Sequence, residues 1–250
     1  GFTTGDRVSG MMGWQQYAVF SPKALQRVPE GASTELALGP LGMTGMTAYF
    51  GLLDVGELQE GQTVLVSGAA GAVGSLVGQI AKIKGCTVVG TAGTDEKCRW
   101  LTDALGFDAA VNYKTADSLS AAIKAACPNG VDVYFDNVGG PLLDVALTRL
   151  NRGGRIVICG AISAYNATSR PTGPANYMAL LVKRARMEGF VVFDYAPRFG
   201  EAVAALNGWI DEGRIQVRYD VIDGLENAPA ALLKLFDGSN TGKLMVRVAQ

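Results

Sequence analysis

The fold of this chain follows from one segment, Thr63-Val64-Leu65-Val66-Ser67-Gly68-Ala69-Ala70-Gly71-Ala72-Val73-Gly74. Its first residues form a short apolar run that is typical of a buried strand. The three glycines that follow permit a tight turn, a close approach of backbone to a pyrophosphate, and close packing of helix on strand. The free N–H groups of the helix that begins there would bind the phosphates. We predict a dinucleotide-binding turn made by Gly68, Ala69, Gly71, Ala72, Val73 and Gly74, although the glycine spacing taken alone also fits an ordinary strand-to-helix turn.

Strands and helices alternate on both sides of this turn. Short, nearly continuous apolar runs predict strands at 63–67, 86–91, 109–112, 131–135, 155–159 and 187–193. Helical patterns lie between and after them, at 71–84, 95–101, 119–126, 141–150 and 200–210. Such alternation is typical of a parallel sheet covered by helices on both faces. We therefore predict an α/β fold with a doubly wound parallel sheet of the Rossmann type.

The two ends of the chain have a different pattern. Residues 1 to about 40 read as strand and loop, and the aromatic and β-branched stretch at 14–20 is the part read as strand. A helix starts near Ser33, and 39–45 forms a joint. After Gly213 we predict a half-exposed strand at 215–221, a helix at 227–236 and a final strand at 244–248. We expect this tail to join the N-terminal segment as a second unit. The chain starts without Met and in the middle of a strand pattern, so we also expect residues to precede Gly1.

Composition excludes several classes of partner and chemistry. The net charge of −1 provides no field that attracts nucleic acid or an acidic membrane. No apolar run approaches the roughly 20 residues of a membrane span, and the N-terminus has no signal pattern. The four cysteines form no Cys-x-x-Cys pair, which predicts reduced thiols and a cytoplasmic location. These 250 residues contain no histidine, which excludes a Ser-His-Asp triad and His-ligated metal from this chain.

The end of the second predicted strand indicates which dinucleotide binds. NAD-binding domains usually place an acid there to hold the ribose 2′-hydroxyl. This chain has Ala92 at that position, with Lys97 one turn later and Arg99 close by. A small residue beside a cation suits a 2′-phosphate, so we predict NADP(H). The alternative for Lys97 is a solvated helix lysine.

Several segments together resemble the medium-chain dehydrogenase/reductase superfamily. Within it, the chain is similar to the zinc-free alkenal reductases, which include prostaglandin, plant double-bond and bacterial curcumin reductases. The segments that carry the resemblance are Gly42-Met43-Thr44-Gly45-Met46-Thr47-Ala48-Tyr49, 66–78, Asp95-Glu96-Lys97, Asn112-Tyr113-Lys114, Phe135-Asp136-Asn137-Val138-Gly139-Gly140, Cys159-Gly160-Ala161-Ile162-Ser163-Ala164-Tyr165-Asn166 and Gly238-Ser239-Asn240-Thr241-Gly242-Lys243.

This resemblance implies NADPH-dependent reduction of the C=C bond of an α,β-unsaturated ketone or aldehyde. It places Lys97 and Tyr113 at the 2′-phosphate, and Met43 and Thr47 beside the ribose and nicotinamide. It also implies that cofactor-binding loops contain Gly93, Asn137, Cys159, Ala161, Ile162, Tyr165, Phe190, Val192 and Asn240. By the same resemblance, 1–41 would be a remnant of a GroES-like catalytic domain, 42–213 the NADP-binding domain and 214–250 a return to the catalytic domain. Family members carry a further segment ahead of this start, and they often pair as homodimers through their cofactor domains.

Hydride addition to the β-carbon of an enone creates an enolate, which needs a nearby hydrogen-bond donor. The chain offers no histidine, so the donor would be a hydroxyl, a backbone N–H, water or the cofactor ribose. Tyr165, in the loop after the fifth predicted strand, is our first candidate because ligands bind at the carboxyl ends of parallel strands. Tyr49 is the second. Both tyrosines also fit a packing role, and Cys159 fits a buried strand-end cysteine better than a reactive thiol.

Two other functions stay open at this point. A quinone reductase of the same superfamily would use the same cofactor site. An NADP-binding protein without turnover would follow if the chain lacked the barrel that encloses a substrate. These residues argue against a zinc alcohol dehydrogenase, because they contain neither the structural cysteine cluster nor any histidine ligand.

Overall fold

The computed structural model describes residues 1–248. The N-terminal part holds little regular structure: strands β1 (Val8–Ser9) and β2 (Gln26–Arg27) pair antiparallel, and helices α1 (Thr34–Leu38) and α2 (Met43–Phe50) follow. Helix α1 begins where the sequence predicts, because the Ser33 side chain accepts a hydrogen bond from Leu36 N at 3.1 Å. The predicted joint also interrupts the chain between α1 and α2.

The predicted strand at 14–20 is wrong, since this stretch forms no strand in the structure. Its aromatic and β-branched side chains are exposed, Tyr17 to 89% and Val19 to 101%. β-Propensity measures how well a side chain fits a pleated, half-buried surface. No sheet of the described chain offers these residues such a surface.

Six parallel strands form the central sheet in the order β5-β4-β3-β6-β7-β8. Strands and connecting helices, in chain order, are β3 (Thr63–Val66), α3 (Ala72–Ile83), β4 (Thr87–Ala92), α4 (Asp95–Arg99), β5 (Ala109–Asn112), α5 (Leu119–Ala126), β6 (Val131–Asp136), α6 (Gly140–Arg149), β7 (Leu150–Ile158), α7 (Ala179–Lys183), β8 (Arg186–Gly189) and α8 (Phe199–Asp211). The predicted doubly wound α/β fold is confirmed. The strand order reverses between β3 and β6, which is the switch point where such sheets bind ligands.

Neighbouring residues of the strands pack on opposite faces of this sheet. Val64 and Val66 belong to one apolar cluster with the buried face of α3, whereas Leu65 belongs to a second cluster with α5 and α6. All four residues of β3 are buried. The near-continuous apolar runs therefore predicted a sheet covered on both faces, and the packing confirms it.

The C-terminal part contains β9 (Tyr219–Asp223), α9 (Ala228–Asp237) and β10 (Lys243–Arg247). Strands β9 and β10 pair in parallel and stay separate from β1 and β2. This unit lies beside the turn at Gly68–Gly74, which we call the phosphate turn, since Gly242 N donates to Ala70 O at 2.8 Å. It also touches the N-terminal part, where the Tyr219 ring lies against Gly39.

Three strand boundaries differ by several residues from the sequence prediction. Strand β7 begins at Leu150 and not at 155, and two further differences have a packing cause. The sixth strand ends at Gly189, and a 3-10 helix over Val192–Arg198 replaces the rest of the predicted strand. The half-exposed strand begins at Tyr219, because Ile215 is buried in the main core instead. In both places tertiary packing overrides local propensity. Within residues 1–248, no helix combines the length and apolarity that a membrane crossing requires.

Candidate active site

A cleft of about 740 Å³ opens at the carboxyl ends of the central strands. Its walls come from the turn between β3 and α3, the ends of β4 and β5, the loop after β6, and the segment that joins α9 to β10. Drug-sized ligands and cofactors occupy clefts of this size. The cleft lies at the topological switch point of the sheet, so fold and cavity indicate the same binding position.

The turn between β3 and α3 requires glycine at both of its ends. Gly68 has φ +57°, a left-handed conformation that other residues rarely adopt. A Cβ on Gly74 would lie 2.5 Å from Gly68 O and 2.8 Å from the Ala69 Cα, so no larger residue fits there. The first turn of α3 contains no acidic residue. The turn therefore forms a close-fitting cradle whose helix N-terminus attracts an anion such as a pyrophosphate.

One end of the cleft carries a pair of lysines, with the carboxylate of Asp237 near them. Ala92 closes β4, and Gly93 leaves room for two side chains: its Cβ would lie 3.0 Å from the Tyr113 hydroxyl and 3.2 Å from Lys114 Cε. Burial lowers the pKa of Lys97, and the positive charge of Lys114 lowers it further. Two cations that border one wall without an acid at Ala92 suit a doubly charged anion. This corner fits the 2′-phosphate that the sequence predicts.

Lys97 also joins two walls of the cleft. Thr94 caps α4 by accepting from Lys97 N at 3.2 Å, which fixes the helix that carries the lysine. The Lys97 ammonium donates to Gly238 O at 2.5 Å, across the cleft on the segment after α9. The lysine therefore stands at the rim with its charge directed along the cavity wall.

The opposite end of the cleft is formed by the loop after β6. Asn137, Val138 and Gly139 line the cavity together with Ile162 and Ser163 from the loop after β7. Asn137 Nδ2 donates to Ser67 O at 2.7 Å, which holds its side chain against the end of β3. Ser163 Oγ donates to Val138 O at 2.6 Å and links the two loops. These loops give the cleft a hydrogen-bonded wall on the far side of β3 from Lys97.

The C-terminal segment contributes a third lysine that the sequence did not single out. Lys243 follows Gly242 on β10 and lines the cleft next to the phosphate turn. Its side chain is half-buried, and burial is the cause that lowers its pKa. A half-buried ammonium beside a phosphate cradle is suited to a negatively charged ligand. In the sequence, Lys243 is marked only by the glycine before it. The bridge between Gly242 and Gly71, which brings Lys243 to the turn, is visible only in the structure.

Most of the predicted cofactor residues border the cleft, and a second group does not. The residues that line it are Gly68, Gly71, Ala72, Val73, Gly74, Gly93, Lys97, Tyr113, Asn137, Ile162 and Asn240. Ala69 is fully buried beneath the turn. Those outside the cavity are Met43, Thr47, Cys159, Ala161, Tyr165, Phe190 and Val192. The lining residues that sequence reasoning missed include Lys114, Val138, Gly139, Ser163 and Lys243.

The two candidate tyrosines are placed differently. Tyr165 is 61% exposed, and its hydroxyl accepts from Ala161 N at 3.3 Å. Tyr49 is buried on α2, where its hydroxyl donates to Glu201 Oε1 at 3.0 Å. Burial and Glu201 raise the pKa of Tyr49 to about 12. Neither residue lines the cavity, and the proton of Tyr49 is already engaged.

Cys159 follows β7 and is partly buried. Burial and the nearby Asp136 raise the pKa of this thiol to about 12, so it stays protonated at neutral pH. A protonated thiol is a poor nucleophile. The surroundings of Cys159 therefore agree with a packing role.

The comparisons with known proteins agree with this geometry. Residues 72–208 match a family model described as zinc-binding dehydrogenase. The chain is 49% identical over 252 residues to prostaglandin reductase 1 of Bos taurus, covering 98% of this chain and 76% of that protein. It is 44% identical over 256 residues to the NADPH-dependent curcumin reductase of Escherichia coli (strain K12), covering 99% and 73%. The chain belongs to the alkenal reductase family of medium-chain dehydrogenases/reductases.

A solved structure with bound NADPH has the same fold. The crystal structure of CurA from Vibrio vulnificus in complex with NADPH superposes with a TM-score of 0.89 at 45% identity, covering 95% of this chain and 72% of that one. The predicted resemblance is confirmed. Despite the name of the matching family model, residues 1–248 of this chain contain no group of three or more His, Cys, Asp or Glu side chains that could hold a metal ion.

Proposed function

We propose that the protein is an NADPH-dependent reductase that acts on the C=C bond of α,β-unsaturated ketones and aldehydes. The observation that carries the proposal is the cleft, in which a phosphate cradle lies between a two-lysine corner and a hydrogen-bonded loop wall. Relatives named prostaglandin, curcumin and 2-alkenal reductase support the substrate class.

Different residues of the cleft would bind different parts of an extended dinucleotide. The turn at Gly68–Gly74 would receive the pyrophosphate, and Lys97, Tyr113 and Lys114 would hold the 2′-phosphate. The side chains outside the cavity, among them Met43, Thr47 and Phe190, would surround the nicotinamide end. NADPH, when bound, supplies a hydride to the β-carbon of the substrate.

The remaining task of the chain is to support the negative charge that develops on the carbonyl oxygen of the substrate. Tyr165 suits this role because its hydroxyl accepts from Ala161 N, so the hydroxyl proton is left to donate. No acceptor for that proton lies among the described residues. We retain Tyr165 as the proposed donor and set Tyr49 aside, since Glu201 already accepts the Tyr49 proton.

The substrate class is tested by following NADPH consumption by the purified protein with benzylideneacetone and, separately, with menadione. We expect turnover with the enone and the saturated ketone as product. Turnover with the quinone alone would assign the protein to quinone reduction. NADPH binding without turnover of either would favour a binding protein.

The cofactor preference is tested with Lys97→Ala and with the exposed Lys124→Ala as a control. Loss of one charge-assisted hydrogen bond is worth about 1.5–3 kcal/mol, so we expect the dissociation constant for NADPH to rise at least about ten-fold. The dissociation constant for NADH should stay the same, since NADH lacks the 2′-phosphate. Equal affinities of the unmodified protein for NADH and NADPH would contradict the assignment.

We further propose that two copies pair through β8, which forms an edge of the central sheet. All four of its residues are exposed, so its outer N–H and C=O groups are free to continue the sheet. Beside it lies the β8 patch, made of Leu181, Val182, Met187, Val191 and Phe193, whose large apolar side chains are exposed.

The charges of β8 suit a second copy of this chain, in addition to the pairs that Arg186 makes within one copy with Glu57 and Glu188, both at 3.0 Å. Antiparallel pairing of two β8 strands about a two-fold axis at Met187 would place Arg186 of each copy opposite Glu188 of the other. Opposite charges in directly opposed positions stabilise a strand pair, and a two-fold interface uses the same patch twice. A second copy of this chain is therefore the partner that fits the edge.

A further inference from the structure

A fully enclosed carboxylate lies behind the loop wall of the cleft. Asp136 is the last residue of β6 and is 1% exposed. Its Oδ1 accepts four hydrogen bonds, from Ser67 Oγ at 2.9 Å, Tyr134 Oη at 2.8 Å, Val138 N at 2.9 Å and Gly139 N at 2.8 Å. Two of the four donors are backbone groups of the cleft wall itself.

The same residue connects three loops at the carboxyl edge of the sheet. The Asp136 backbone carbonyl accepts from Cys159 N at 2.9 Å and Gly160 N at 3.0 Å, in the loop after β7. Ser67, which follows β3, also accepts from Asn137 N at 2.9 Å through its hydroxyl. Asp136 therefore holds the ends of β3, β6 and β7 at a fixed distance from one another.

The loop that it holds has a backbone that needs support. Gly139 and Gly140 have φ +72° and +59°, so the chain turns sharply twice directly after the wall residues. Glycine is flexible in the absence of restraints. The hydrogen bonds from Val138 N and Gly139 N to one carboxylate oxygen select a single conformation of this turn.

The two carboxylate oxygens of Asp136 have different surroundings. Asp136 Oδ2 is buried and has no hydrogen-bond partner among the described residues. A buried carboxylate with an unpartnered oxygen is costly. Burial and Asp136 raise the pKa of Tyr134 well above its ordinary value, so the tyrosine stays a proton donor toward Oδ1. All the donors converge on one oxygen, which concentrates the restraint on the turn.

We propose that Asp136 is a positioning residue that sets the wall at Asn137, Val138 and Gly139 for the half of the cofactor that carries the hydride. The inference rests on the proposed function. Because β6 lies on the far side of β3 from β4, the Asp136 turn contacts a different part of the cleft from Lys97. Substitution of Asp136 should therefore weaken binding of the complete dinucleotide. Binding of a ligand that consists of the adenosine half alone should not change.

The test compares Asp136→Ala and Asp136→Asn with Asp132→Ala, a matched control on the same strand. Asp132 accepts from Thr63 N and Asn151 Nδ2, both at 2.8 Å, at the end of the sheet away from the cleft. Dissociation constants are measured for NADPH and for 2′,5′-ADP, which carries only the adenosine half. Values of kcat and KM are measured with benzylideneacetone, and thermal unfolding is followed for every variant.

We expect Asp136→Ala to weaken NADPH binding by about ten-fold and to lower kcat, with 2′,5′-ADP binding unchanged. Asp136→Asn should recover most of this loss, because the amide oxygen can accept the same four donors while its NH₂ takes the place of Oδ2. Asp132→Ala should lower thermal stability without changing either dissociation constant. If Asp136→Ala does not fold, Ser67→Ala, which removes one donor to Asp136 and one acceptor for Asn137, replaces it and should show the same selectivity.

The proposal is overturned if the Asp136 variants weaken 2′,5′-ADP and NADPH equally. It is also overturned if they change NADPH binding and kcat no more than Asp132→Ala does. Failure of the proposed function has a different signature, because the unmodified protein would then lack NADPH binding or enone turnover before any substitution is made.

Discussion

Three lysines border the cleft, and their surroundings differ. Lys97 and Lys114 lie together at the end of β4, where burial and the positive charge of Lys114 lower the pKa of Lys97. Lys243 lies beside the phosphate turn, and burial lowers its pKa without a contribution from either of those lysines. In the proposed function the first two would bind the 2′-phosphate, whereas Lys243 would bind the pyrophosphate, which NADH and NADPH share.

Substitution of Lys243 should therefore lower affinity without changing preference. We expect Lys243→Ala to raise the dissociation constants for NADPH and NADH by a similar factor of about ten, the size of one charge-assisted contact. Fluorescence titration with both cofactors measures it, and Lys124→Ala is the exposed control. A selective loss of NADPH would move Lys243 to the 2′-phosphate corner.

The two candidate tyrosines should separate by the type of defect. Tyr165→Phe removes the proposed donor from an exposed site, so kcat for enone reduction should fall while the unfolding temperature is unchanged. Tyr49→Phe removes a partly buried hydrogen bond to Glu201, so it should cost about 1 kcal/mol of stability and leave kcat near its original value. Steady-state kinetics and thermal unfolding on both variants measure the difference, and the reverse pattern would exchange the two roles.

At the scale of the helices, glycines serve different purposes in similar positions. Gly45 lies within α2, and a Cβ there would lie 1.7 Å from Pro40 O. This glycine lets α2 pack directly against the preceding joint. Gly208 lies within α8, where a Cβ would meet nothing within 4 Å. The packing of α8 therefore does not require glycine at this position.

Replacement of these two glycines by alanine should have opposite effects. Gly208→Ala should stabilise the protein by about 0.5–1 kcal/mol, the difference in helix propensity. Gly45→Ala should destabilise it by about 3 kcal/mol or prevent folding, because backbone must move to relieve the overlap. Denaturant unfolding of both variants measures the difference in free energy. A destabilised Gly208→Ala would contradict the open surroundings of that position.

At the scale of the whole molecule, the central sheet has two unlike edges. Strand β5 at one edge has its residues partly buried, whereas β8 at the other is exposed along its whole length. An exposed parallel edge beside an apolar surface is unusual for a chain that acts alone. This asymmetry is the reason for expecting a dimer through β8.

Charge reversal tests the proposed pairing. Glu188→Arg would set arginines opposite one another at both ends of the paired strands, so we expect the dimer to dissociate at concentrations where the unmodified protein is dimeric. The double variant Arg186→Glu, Glu188→Arg restores opposite charges and should restore the dimer. Glu212→Arg, an exposed charge reversal that lies outside both β8 and the β8 patch, is the control. Sedimentation equilibrium measures the oligomeric state of the unmodified protein and of the three variants. A monomeric unmodified protein would contradict the proposal.

The elements that the sequence predicted best are those with strong local signals. The glycines at Gly68 and Gly74, the buried strand before them and the helix after them are all where the pattern places them, because backbone sterics at these positions admit few alternatives. Ala92 and Lys97, chosen by their spacing from the turn, both line the cleft, and their role at a 2′-phosphate stays a prediction. The strand at 14–20 failed because strand propensity has no effect without a surface to pair with. The division of the chain into three segments stays a prediction.

The sequence was sufficient for the fold class and for the turn at Gly68–Gly74, since both depend on neighbouring residues whose local chemistry leaves few alternatives. It was sufficient for the family through a resemblance carried by several segments. The tertiary structure was needed to identify contacts between residues that are far apart in the sequence. It brings Lys243 to the turn at Gly71, directs the Tyr49 hydroxyl to Glu201, and gathers Ser67, Tyr134 and the turn after β6 around Asp136. Hydrogen bonds and burial act over a few ångströms in space, and no spacing along the chain reveals which residues the parallel crossovers will place together.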